Sequence, residues 1–207
     1  MLETTPETGY LALTASTRAL VDAQLRTRID SGEALEIAQE IDVLVKRLLD
    51  SAGTESLGVA FPHPGRPLRN EHGNAVVGAR NAVAPPVVTV WERAGCWAEF
   101  TLGASYEGPP GFVHGGVCAL ILDQVLGEGA AAAGYPGMTA ELTFRFHRPT
   151  PLGRLRAEAE LHERNGRKSH VNGRIVDPDG QVTVSAHGVY VMPRHLQEPD
   201  QARHAHG

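Results

Sequence analysis

Cysteine is almost missing from this chain of 207 residues: Cys96 and Cys118 are the only two. Two thiols without CxxC spacing build neither a disulfide scaffold nor a zinc centre, so no metal site is expected and both read as partly buried free thiols. Aromatic residues make up 5% of the chain, too few to stack on bases, and there is no overall basic surplus; nucleic acid is not an expected partner. No uninterrupted apolar run reaches the roughly 18–20 residues of a membrane span. The segment Met1 to Gly9 is acidic and lacks the basic-then-apolar order of a signal peptide. The expectation is a soluble, cytoplasmic protein with no membrane association and no cofactor.

The net charge of −5 is unevenly spread. Residues 1–55 carry ten acids and five bases, and the remainder carries equal numbers of each. Within that remainder, residues 141–175 hold eight bases against four acids. A local positive excess of this size suits an anionic small ligand as well as it suits ordinary solvated strand faces.

Four stretches can be told apart. Residues 1–55 read as an N-terminal helical extension. Its first helix, near 13–29, carries a weak stripe of Leu20, Val21, Leu25 and Ile29. The second follows Asp30, a cap with Glu33 three residues on, and repeats Ile37, Ile41, Leu44 and Leu48 at helical spacing. Such a pair must pack on something to persist. Residues 56–86 are punctuated by proline and glycine and read as a linker or draped arm without chemistry of its own. Residues 87–192 form the main domain. Residues 193–207 read as a disordered polar tail, whose His195, His204 and His206 are taken as solvated rather than metal-binding.

The main domain opens with a hairpin, strands 87–93 and 96–102 about an Ala94-Gly95 turn. Residues 138–147 alternate: Met138, Ala140, Leu142, Phe144 and Phe146 on one face, Thr139, Glu141, Thr143, Arg145 and His147 on the other. Strands 154–164 and 167–177 flank the Asn165-Gly166 turn, and 181–192 follows Pro178-Asp179-Gly180. Between the second and third strands, residues 114–133 are too long for a strand and apolar nearly all round. They read as a buried helix. One antiparallel sheet wrapped around a central helix, an α+β architecture, satisfies this order.

Asp123 lies in the middle of that apolar helix. A carboxylate there is costly unless donors or a cavity receive it, and such groups cluster at functional sites. The helix begins His114-Gly115-Gly116. Glycines there let a ligand approach free N–H groups at the positive end of the helix dipole, which can hold a carbonyl oxygen as it gains charge. Glu128, five residues on and about 140° around the helix, is not expected to share the site of Asp123.

These segments resemble a family. YEGPPGFVHGG at 106–116, then Asp123, then TAELTFRFHRPTPL at 139–152 and NGRK at 165–168 resemble the PaaI-type hotdog thioesterases. They are also similar to the human thioesterase superfamily members that hydrolyse fatty acyl-CoA. The resemblance covers roughly residues 87–192 and leaves residues 1–86 without a role. It implies the hotdog fold, an acyl-CoA substrate, a place in fatty acid metabolism, and a homodimer or dimer of dimers. By resemblance, Asp123 attacks the thioester carbonyl or activates water, and the N–H of Gly116 or Gly115 polarises the carbonyl. His114 positions the thioester or orders the helix start, Thr139 bonds the carboxylate or water, and Arg148, Arg167 and Lys168 meet the CoA phosphates. Two other readings stay open: a non-catalytic acyl-CoA-binding protein, and a hotdog dehydratase or hydratase.

Overall fold

The computed structural model describes residues 6–55 and 72–196. Two helices, α1 (Pro6–Arg26) and α2 (Ser31–Leu49), precede the sheet. The strands are β1 (Val90–Trp91), β2 (Gly95–Leu102), β3 (Met138–Phe146), β4 (Gly153–Asn165), β5 (Lys168–Val176) and β6 (Val182–Val191). Helix α3 (Gly115–Ala132) lies between β2 and β3 in the chain. The six strands form one antiparallel sheet in the order β1-β2-β4-β5-β6-β3, with α3 on one face. This is the hotdog arrangement.

The core is the layer between α3 and the sheet. Ile121, Leu122, Val125 and Leu126 pack on Phe100, Leu155, Ala157, Val171, Ile175 and Val184. At roughly 1.5–3 kcal/mol for each large apolar side chain removed from water, this layer dominates the stability of the domain. By length and composition α3 would also pass as a membrane span, but half of it is buried against the sheet, as a core helix requires. A side chain at Gly129 would meet the Ala159 Cβ at 3.1 Å, so the missing side chain lets helix and β4 approach. Cys96 and Cys118 are both free and buried.

The other sheet face is polar. Arg154 pairs with Glu99 at 2.7 Å and Arg174 with Glu158 at 2.5 Å. Burial alone would raise the Glu158 carboxyl, but hydrogen bonds and charge from Arg174 and Arg156 outweigh it and hold the group below the usual range. Turn chemistry joins these strands. Gly166 takes φ +57° at the β4–β5 tip, and the Asp177 carboxylate accepts from the N–H groups of Asp179 and Gln181 before β6.

Several boundaries differ from the sequence expectation. Helix α1 begins at Pro6 and ends at Arg26, earlier than its apolar stripe indicates. The β1–β2 turn closes one residue earlier, through Glu92 N–H to Gly95 O at 2.8 Å, and β1 is only two residues long. The described part of the 56–86 segment packs on the body: Val76 and Ala84 are buried, and Val76 joins the core. Residues 56–71 and 197–207, including His204 and His206, lie outside the described residues, as does the His195 side chain.

The two N-terminal helices behave differently. Helix α1 docks on the body: Thr14 is buried, Arg18 donates to the Asn81 carbonyl at 3.0 Å, and the Arg80 guanidinium stacks 3.5 Å over the Tyr10 ring. Helix α2 is capped as expected, with Asp30 Oδ1 accepting from Gly32 N at 2.7 Å and Glu33 N at 3.0 Å, yet it buries no residue.

Candidate active site

Asp123 sits mid-helix and half-buried on the side of α3 that faces β3. Thr139 donates its hydroxyl to Asp123 Oδ1 at 2.9 Å. Tyr190, on β6, donates to the Asp123 backbone carbonyl at 2.8 Å and lies 3.3 Å from the same Oδ1. Among the described residues, the second carboxylate oxygen accepts no hydrogen bond. One oxygen therefore faces two hydroxyls, and the other stays open toward the cavity side chains.

Thr139 reaches Asp123 only because β3 is bulged. The register shifts between Thr139 and Glu141 against β6, so Ala140 is an extra residue. Strict alternation places Thr139 on the face opposite Leu142, Phe144 and Phe146. The bulge reverses that phase and turns Thr139 toward the helix beside its pairing partner Tyr190.

Tyr190 was not legible from the sequence as a site residue. Its phenol is almost fully buried. Burial first, and the Asp123 charge second, push it far above the ordinary tyrosine value, so it remains a donor across the working pH range. A Cβ on Gly127 would stand 3.2 Å from the Tyr190 ring, so that glycine makes the room the ring needs. The one available signal was an aromatic in a strand two positions before the domain end, which is ordinary core chemistry.

Glu128 requires a correction. It lines, with Asp123, Gln124, Gly127, Gly137, Thr139 and Tyr190, one cavity of about 130 Å³. The angular separation on the helix is as the spacing says, but Gly127 has no side chain to close the gap between the two acids. Glu128 is only 3% exposed. It accepts from Thr89 Oγ1, from Trp91 Nε1 at 2.9 Å and from Gln124 Nε2 at 2.9 Å. These donors receive a carboxylate that no cation reaches among the described residues.

At the other end of α3, His114 caps the helix: its Nδ1 accepts from Gly116 N–H at 3.0 Å. This leaves the ring proton of the neutral imidazole to Nε2, on an exposed side chain. The Gly116 N–H is thus engaged within the protomer. Gly115 opens the helix, and its N–H has no acceptor within it. The Phe146 ring lies close by, 3.4 Å from where a Gly115 Cβ would be.

The predicted site residues therefore fall into two groups. Asp123 and Thr139 are together. His114, Gly115 and Gly116 are together, about 12 Å along the helix from Asp123. The cations divide likewise. Arg167 and Lys168 border a cavity of about 320 Å³ with Asn165 and Val191, at the Thr139 end of the sheet. Arg167 is partly engaged, donating to the Met192 carbonyl at 3.1 Å. Arg148 is exposed two residues beyond Phe146, at the Gly115 end.

A hotdog sheet around a helix with a hydroxyl-held aspartate defines a class, and comparison with known proteins identifies it. Residues 110–184 match the family described as the thioesterase superfamily. A crystal structure of a thioesterase superfamily protein is 38% identical to this chain. The match covers 88% of this chain and 90% of that one, with a TM-score of 0.81. The chain belongs to the thioesterase superfamily. Acyl-coenzyme A thioesterase THEM4 of Mus musculus is 37% identical over 81 residues, 39% of this chain and 35% of its own length. Acyl-coenzyme A thioesterase THEM5 of Homo sapiens is 31% identical over 104 residues, 49% of this chain and 42% of its own. The chain spans less than half the length of these curated relatives.

Proposed function

We propose that this protein hydrolyses acyl-CoA thioesters to the free acid and CoA, with Asp123 as general base. The observation that carries the reading is the half-buried Asp123 carboxylate, fixed through Oδ1 by Thr139 and Tyr190. The free oxygen takes a proton from water as that water adds to the carbonyl carbon. The carbonyl oxygen gains charge against a helix-start N–H, Gly115 being the better candidate because His114 occupies that of Gly116. Collapse of the tetrahedral intermediate breaks the C–S bond, and the departing thiolate takes up a proton. The cavity beside Asp123 has room for the attacking water, at roughly 30 Å³ per molecule.

The site is proposed to form between two chains. One acyl carbonyl needs its oxyanion donor and its attacking group within hydrogen-bond reach of each other, and a single straight α3 holds them about 12 Å apart. Two antiparallel copies of α3 about a twofold axis bring the start of one beside the middle of the other. Three observations support this pairing. β3 is an edge strand with unpaired backbone groups. Its Met138 and Phe146 are 64% and 55% exposed. Leu120 projects from α3 at 40% exposure. The same pairing would bring Arg148 of one chain toward Arg167 and Lys168 of the other, where they would meet the CoA phosphates.

The assignment is tested by Asp123→Asn, which should keep the fold and lose on the order of a hundredfold or more in turnover across a panel of acyl-CoA esters. Near-wild-type rates would remove Asp123 from the chemistry. A protein that binds the esters and hydrolyses none would instead be an acyl-CoA-binding protein. A single turnover in ¹⁸O-water tests the base role: label should enter the product acid, whereas label in Asp123 would make it the nucleophile.

A further inference from the structure

Helix α2 is nineteen residues long and buries none of them within the protomer. Helices in proteins draw most of their stability from packing an amphipathic face rather than from propensity. The apolar residues of α2 are nevertheless ordered: Ala34, Ile37, Ile41, Leu44 and Leu48 follow the alternating three- and four-residue spacing of a coiled-coil seam. Leu44 and Leu48 remain 56% and 53% exposed. Helix α1 already docks on the body without α2, and among the described residues no element packs on the seam, of which Ile41 alone is half-buried.

We propose that α2 pairs with α2 of a second copy of this chain, antiparallel, in a short two-helix coiled coil centred between Ile37 and Ile41. Charge polarity along the helix selects the direction. Glu33, Glu36, Glu40 and Asp42 precede Lys46 and Arg47. Parallel pairing lays acid on acid and base on base, whereas antiparallel pairing sets each acidic end against a basic one and also opposes the helix dipoles. A twofold between Ile37 and Ile41 packs Ile37 of each copy on Ile41 of the other and Ala34 on Leu44. Glu33, Glu40 and Arg47 flank the seam at seven-residue intervals. The same register puts Glu33 of each copy beside Arg47 of the other. The single opposed contact, Glu40 against its copy, lies at the rim, where salt screens it. On the other flank Ala38 and Val45 are small and apolar, which lets the helices close. A lipid surface is a poorer occupant: α2 carries four acids and two bases, and membrane-surface helices are rich in Lys and Arg.

Single-cysteine crosslinking tests the pairing, since native Cys96 and Cys118 are buried. A mixture of full-length Ile37→Cys and Ile41→Cys, oxidised under native conditions at low micromolar concentration, should link into mixed covalent pairs. Ala34→Cys should not link to itself, because the antiparallel register separates the two copies of position 34 by about ten residues, roughly 15 Å along the axis. A mixture of Ala34→Cys with Leu44→Cys should link. No linking of Ile37→Cys with Ile41→Cys, or self-linking of Ala34→Cys as readily as that pair, overturns the proposal. As a non-covalent measure, Ile41→Asp should raise the dissociation constant of self-association by at least about tenfold. An unchanged constant overturns it equally. Helix α2 supplies no residue to the Asp123 site, so these outcomes are read independently of hydrolysis.

Discussion

Helices α2 and α3 are nearly equal in length, nineteen and eighteen residues, and opposite in surroundings. Helix α2 has a sharp apolar stripe and buries nothing. Helix α3 has almost no stripe and buries half its residues, Glu128 among them. The difference shows where polar residues acquire power. The acids of α2 are solvated and screened, so each contributes little. On α3 Glu128 is buried and Asp123 and Gln124 are half-buried, where screening is weaker and each donor that meets them counts more.

Substitutions on the two helices should separate the cases widely. The largest effect is the loss on the order of a hundredfold or more in turnover for Asp123→Asn, against unchanged turnover for Asp42→Asn on α2. Cross-chain rescue sharpens this. Inactive Asp123→Asn chains refolded with inactive chains bearing a bulky residue at Gly115 should regain activity, because each mixed dimer holds one intact site. No recovery from a verified mixed dimer would return the site to a single chain.

Next in size is Glu128→Leu. It leaves the Thr89, Trp91 and Gln124 donors without their acceptor and should cost roughly 2–4 kcal/mol in denaturant unfolding. Glu36→Leu on α2 should stay within about 0.5 kcal/mol. A Glu128→Leu protein as stable as the parent would show that those hydrogen bonds add nothing net.

Smaller effects are expected at the hydroxyls. Tyr190→Phe and Thr139→Val each remove one bond to Asp123 and should lower turnover by roughly ten- to a hundredfold, given about 1.5–3 kcal/mol for a hydrogen bond to a charged group. Equal turnover in both variants would detach the pair from the chemistry. Charge reversal at Arg167 and Lys168 should raise KM and spare kcat, because phosphate contacts serve ground and transition states alike.

The pH dependence of stability tests the buried layer under α3. Burial, and then the Glu128 charge, pushes the Cys96 thiol far above its ordinary 9.0. Its folded form therefore keeps a proton that the unfolded chain loses above about pH 9. That stabilisation is fully present below this pH and is lost as pH rises, by at most about 1.4 kcal/mol per pH unit. Cys96→Ala should flatten the fall in unfolding free energy between pH 9 and 10. An unchanged slope would mean the thiol ionises freely in the fold.

Local pattern carried much of the architecture. The apolar run at 114–133 gave α3, because it depends on neighbours within a few residues, and the β4–β5 turn falls within one residue of Asn165-Gly166, at Gly166-Arg167. Asp123 was visible as a carboxylate without an apolar reason to be there. Asp123 and Thr139 stood out in the sequence through the family resemblance. Yet the bulge that turns Thr139 inward is a register shift against β6, and no alternation within β3 reveals it. Tyr190 lies 67 residues from Asp123 in the chain. Glu128 joins the same cavity because Gly127 leaves a gap and β1 supplies donors from across the fold. Periodicity reports what a residue's own element makes of it, and it determined the helix, the turns and the lone acid. Which side chains converge on that acid was decided by strand pairing and by the space between layers, which exist only after the chain has closed on itself.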